Sequence, residues 1–147
     1  MALASQWTSS GRISLWRYTG NERNYPGWHL NADRTGCECL LALLASLPGD
    51  GAPYRTIALT PPTAAQLGVP NNRHGLAAWV APTRLRVRLA IEPSLWAFPA
   101  DLEPGTMTIG SHWIEPLRHG IDDIAHGRGD YSIGDQGEGS LPLWFWW

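Results

Sequence analysis

His119, Asp122 and His126 are the residues of this chain best spaced to do chemistry together. Steps of three and four place all three on one face if the segment is helical. Two imidazoles and a carboxylate suit zinc or another transition metal. The same groups could serve as a general acid and base. A metal-dependent hydrolase is therefore one reading. It demands more than these residues supply: a fourth ligand from elsewhere and a pocket around the ion. An ordinary polar helix face shows the same spacing, so the expectation is no metal and no other cofactor.

Other reactive residue types are sparse. Cys37 and Cys39 are the only cysteines. On a helix, positions i and i+2 point about 200° apart, too far round to share an ion or a disulfide. They are expected as reduced, half-buried thiols. No G-x-S-x-G nucleophile turn occurs, and neither standard phosphate-loop pattern is present. The acids and glycines of residues 130–139 hint at a calcium loop, but they miss the EF-hand ligand positions. That stretch reads as a hairpin connection.

Residues that could bind rather than react are more prominent. Arg84, Arg86 and Arg88 alternate with Leu85, Val87, Leu89 and Ile91. A period of two puts the guanidinium groups on one face of a strand and the apolar side chains on the other. Such a ladder wants acids of its own chain, or an acidic partner or phosphate. Charge is polarised along the chain. Residues 1–88 hold nine arginines against four acids (+5), and residues 89–147 hold two against nine (−7). Polarised charge steers encounter with a charged partner. Nine tryptophans are the other anomaly, and exposed indoles suit protein hot spots or sugar rings. Arg84, Arg86, Arg88, Trp28 and Trp79 are the candidate contact residues. Nucleic acid is not the expected partner, because the net charge is −2, lysine is absent and no recognition motif occurs.

The elements that must carry these residues follow from periodicity and punctuation. Residues 12–18 alternate as a strand, with Ile13 and Leu15 on one face and Ser14, Trp16 and Tyr18 on the other. Trp28 to Asn31 forms a short extended piece. Asp33 or Thr35 caps a helix to about Leu47, whose stripe is Leu40, Leu43, Leu44 and Leu47. Residues 54–60 form a strand, and Thr60 to Thr63 opens a short helix to about Leu67. Strands follow at 84–91, 95–98 and 106–109. Pro116 sits near the start of a helix with Leu117, Ile121 and Ile124 inward and Gly127 as its terminator, although Gly120 weakens that expectation. Asp130–Ile133 and Leu143–Trp147 are closing strands.

Helices set among mostly antiparallel strands predict an α+β fold with two main helices packed on one sheet face, in one domain spanning 1–147. Charged residues are only 16% against a usual value of about 25%, while the apolar share is 44%. That composition argues against disorder. No apolar run is long enough to span a membrane, and the start of the chain lacks the pattern of a signal peptide, so a cytoplasmic location is expected. The reading that follows is a non-catalytic protein-binding protein, in concrete form a small bacterial immunity or antitoxin-type protein that blocks a toxin or effector. The alternatives are the metal-dependent hydrolase above and a carbohydrate-binding module using exposed indoles.

Overall fold

The computed structural model describes residues 11–19, 26–47, 54–68, 78–134 and 140–147. Strands β1 (Ile13–Tyr18), β2 (Trp28–Ala32), β4 (Trp79–Val80), β8 (Tyr131–Ile133) and β9 (Leu143–Phe145) form a five-stranded sheet in the order β4-β1-β2-β9-β8. Strands β3 (Tyr54–Ala58), β5 (Arg84–Leu89), β6 (Trp96–Ala97) and β7 (Gly105–Ile109) form a four-stranded sheet in the order β3-β5-β7-β6. Helices α1 (Arg34–Ser46) and α3 (Ile114–Ala125) are the two long ones, and α2 (Ala64–Gly68) is a single short turn of helix. The α+β architecture expected from the sequence is therefore present. Most strand pairs are antiparallel, but β2 with β9 and β5 with β7 run parallel.

Register explains why both faces of the five-stranded sheet are covered. Leu15 pairs with Leu30, and Leu30 pairs with Phe145, so these residues share one face. That face receives α1 and α3 and joins Ile57, Leu85, Val87, Met107 and Ile109 of the other sheet in one apolar core. Trp16 pairs with His29, and His29 with Trp144, on the opposite face. Trp16, Tyr18 and Trp146 are buried there with Leu67 of α2 in a second, smaller cluster. The closing aromatic run thus splits: Phe145 goes to the main core and Trp146 to the other side.

The helices begin and end as their sequences dictate. Asp33 caps α1, its Oδ1 accepting from the backbone N–H of Gly36 at 2.7 Å and of Arg12 at 3.0 Å. The first satisfies a donor that the helix start leaves free, and the second ties the cap to the residue before β1. Thr63 and Gln66 form a reciprocal capping box on α2: Gln66 N donates to Thr63 Oγ1 at 3.2 Å, and Thr63 N to Gln66 Oε1 at 2.8 Å. On α3, Leu117, Ile121 and Ile124 face the core as predicted, and Gly127 ends the helix with φ +70°. Gly120, which weakened the helix expectation, is required: Phe145 lies where its Cβ would be.

Two expectations are corrected. Strand β5 ends at Leu89 rather than at 91, and Ile91 is fully exposed. The chain bends away there because Pro93 cannot donate to a ladder, and its carbonyl instead accepts from His112 N at 3.0 Å. The cysteines are buried rather than half-buried. Burial, with Asp33 adding to it, pushes the Cys37 thiol up to about 11, which leaves little reactive thiolate. Strand β4 carried no sequence signal beyond two residues. The proposed turn over 135–139 and the chain start at 1–10 lie outside the described residues.

The end of α3 is tied to β8 through a pH-sensitive link. Tyr131 Oη donates to Asp123 Oδ2 at 2.7 Å, and Arg128 Nε donates to Oδ1 at 3.0 Å. Those bonds, Tyr131's first, hold the Asp123 carboxyl below its ordinary 3.8. Burial, then the bond to Asp123, pushes the Tyr131 phenol up to about 12. The depressed carboxyl contributes stability above its unfolded value, lost as pH falls through the folded one. The raised phenol contributes stability below its unfolded value of 10.0, lost as pH rises toward about 12. Urea melts across both limbs should show both losses. Tyr131→Phe should flatten each of them, and an unchanged pH profile in that variant would rule the link out as their source.

Candidate functional site

The outward face of the four-stranded sheet is the most distinctive surface among the described residues. Leu85 and Val87 point into the core at 4% and 2% exposure, which leaves Arg84, Arg86 and Arg88 turned outward. Cross-strand register sets their neighbours. Arg86 lies between Thr56 on β3 and Thr106 on β7, and Arg88 between Tyr54 and Thr108. Arg86 Nε donates to Thr56 Oγ1 at 3.2 Å. The guanidinium carbons of Arg86 and Arg88 lie 4.6 and 5.8 Å from the Tyr54 ring centroid. This stacking holds the arginine stems while leaving their charge unneutralised.

No carboxylate of the described residues is within ion-pair distance of these three arginines. The described ion pairs lie instead along and just beyond α3, where Arg118 pairs with Glu115, and Arg128 with Asp122 and Asp123. The charge asymmetry of the sequence therefore survives folding at this face. The hydroxyls of Thr56, Thr106 and Thr108 and the Tyr54 ring complete it. Sequence reading missed those four because only strand pairing makes them neighbours.

Trp28 is not the exposed anchor that the sequence suggested. It is 0% exposed, stacked on Phe98 with centroids 5.1 Å apart, and its Nε1 donates to Pro99 O at 3.1 Å. Alternation along β2 could not say which face would be covered, and α1 and α3 cover this one. Trp79 is 36% exposed on edge strand β4. It belongs to the other sheet, so the structure does not place it within the arginine face.

His119, Asp122 and His126 do not form a centre. Their side chains are 75%, 52% and 46% exposed. His126 follows the last helical residue, and its Nδ1 lies 2.8 Å from the Asp122 carbonyl oxygen. His119 Nε2 sits 3.8 Å from Glu115 Oε1. Among the described residues no three His, Cys, Asp or Glu side chains converge as metal ligands.

A different histidine is enclosed. His29 is 0% exposed, stacked near Trp16, Trp144 and Trp146, with the Tyr18 ring edge-on at 4.9 Å. Trp146 Nε1 donates to His29 Nδ1 at 2.8 Å, so that nitrogen is an unprotonated acceptor. This cage orders the sheet's second face. Tyr18 Oη donates to Leu67 O at 2.7 Å and fastens α2 over it, and burial raises the phenol above its ordinary range.

No helix among the described residues is long and apolar enough to cross a membrane. Comparison of the chain with protein-family models, with curated proteins and with solved structures finds no match.

Proposed function

We propose that this chain is a non-catalytic protein-binding protein that docks the outward face of β3, β5 and β7 on an acidic surface of a partner protein. Its concrete form is a small bacterial immunity or antitoxin-type protein that blocks a toxin or effector in the cytoplasm. The observation that carries this reading is the ladder of Arg84, Arg86 and Arg88, exposed or half-exposed and unpaired with any described carboxylate. Like charges two residues apart on a strand lie roughly 7 Å from one another and repel. An acidic partner relieves that repulsion and gains bidentate bonds from each guanidinium. A flat face bearing threonine hydroxyls and a tyrosine ring offers further contacts without side chains that would have to be displaced.

The test is charge reversal of the face. Arg84→Glu, Arg86→Glu and Arg88→Glu together should leave the fold intact, with the exposed Arg84 and Arg88 each changing stability by about 0.5 kcal/mol or less and the half-buried Arg86, which gives up its bond to Thr56, by about 1 kcal/mol. Co-expression with the products of neighbouring genes, followed by purification of the complex, should show a partner retained by the parent chain and lost by the triple variant. Association should slow on the order of 10–100-fold and become shallower in its salt dependence for single reversals. A partner held equally well by the triple variant sinks the proposal, as does retention of nucleic acid in place of protein.

A further inference from the structure

A cleft of about 290 Å³ lies between the aromatic face of the five-stranded sheet and α2. Trp16, Trp146, Trp147 and Asn31 line it from the sheet side, and Ala65 and Gln66 from the helix. Its size is near the lower end of small-ligand sites, about 300 Å³. None of the lining side chains carries a charge.

The polar groups in this lining are fixed in place and not saturated. Gln66 Nε2 donates to Asn31 Oδ1 at 2.6 Å, and Asn31 Nδ2 donates to Trp146 O at 2.7 Å. Each carboxamide nitrogen bears two protons and spends one on the protein. The Trp16 indole is 0% exposed and forms part of the cleft wall. Trp147 is the most exposed of the three indoles, at 56%. It offers a flat apolar ring beside these donors.

We propose that this cleft binds a neutral sugar ring, one hexopyranose unit of a glycan. A pyranose has an apolar C–H face to lay on the Trp147 indole and hydroxyl oxygens to accept from the second N–H of the Asn31 and Gln66 carboxamides. A charged ligand finds no counter-charge in the lining. A purely apolar one leaves the donors unmatched. A proline-rich peptide would suit the indoles but has one carbonyl per residue to offer two adjacent carboxamides. The site is separate from the arginine face and does not depend on it.

The full chain, labelled with ¹⁵N at tryptophan, is titrated with glucose, galactose, mannose, N-acetylglucosamine, maltose and cellobiose. The indole N–H resonances of Trp16 and Trp147 should shift saturably with one of these, at a Kd of order millimolar. Trp147→Ala should weaken that binding by about tenfold. Ala65→Phe, at an exposed position on α2, should fill the cleft and abolish the shifts while the remaining indole resonances stay in place. The Arg84, Arg86 and Arg88 reversals should leave the titration unchanged. Silence from every sugar, shifts that persist in Ala65→Phe, or a proline-rich peptide moving these resonances where no sugar does, each overturns the proposal.

Discussion

Trp28→Ala is expected to remove about 3–5 kcal/mol of folding stability, the largest loss from any single truncation discussed. Its indole is wholly buried, with Phe98 stacked at 5.1 Å and the Arg17 guanidinium 5.7 Å from its ring. Its Nε1 also satisfies Pro99 O at 3.1 Å, holding the segment after β6 against the five-stranded sheet. Truncation opens a cavity, frees a carbonyl and unties two sheets at once. A domain of this size has roughly 5–15 kcal/mol to lose, so the variant should melt far earlier in urea or fail to accumulate. Trp28→Phe preserves the stack and loses the hydrogen bond, so it should cost about 1–2 kcal/mol. A midpoint shift in Trp28→Ala worth less than about 1 kcal/mol would return Trp28 to the surface role first expected of it.

Gly120→Ala should also destabilise, against the usual direction for a helix interior. Alanine gains about 1 kcal/mol over glycine in helix propensity. Here the added Cβ would run into three ring atoms of Phe145, itself 0% exposed between α3 and β9. Overpacking of that kind costs roughly 1–3 kcal/mol. The net expectation is a loss of up to about 2 kcal/mol, larger still for Gly120→Val. Gly127→Ala is the control. Its added Cβ meets nothing within 4 Å, and only the φ of +70° opposes it, a strain of about 1 kcal/mol. If Gly120→Ala proves stabilising in calorimetry, α3 does not lie as close to β9 as the structure has it.

The two results bear on function through the same geometry. Trp28 and Phe145 hold the two sheets and α3 in one core, and that core turns β5 so that its arginines face outward. Neither residue touches a candidate partner. Loss of binding in such variants would reflect unfolding, which is why the charge reversals and the cleft-filling Ala65→Phe are the informative functional variants.

Much of the local structure was legible without coordinates. The alternation of Arg84 through Leu89 identified β5 and its outward face, because a pleated backbone sends successive side chains to opposite sides. The stripe at Leu40, Leu43, Leu44 and Leu47 identified α1, and its start was narrowed to Asp33 or Thr35, of which the structure has Asp33 as the cap. Gly127 marked the end of α3. In each case the information sits within a few residues and is enforced by backbone geometry.

What the sequence by itself determined was most of the elements, β4 excepted, the α+β class and the segregation of charge. Tertiary structure alone decided that the strands form two sheets, that β2 meets β9 and β5 meets β7 in parallel, and that both faces of β1 are buried. It also decided that Trp28 is packing while Trp147 is exposed, and that Asn31, Gln66 and Trp146 share one hydrogen-bonded cluster across the chain. Periodicity reports only which side chains share a face. Which face is covered, and by what, depends on side chains far apart in sequence fitting against one another, and no local pattern encodes that fit.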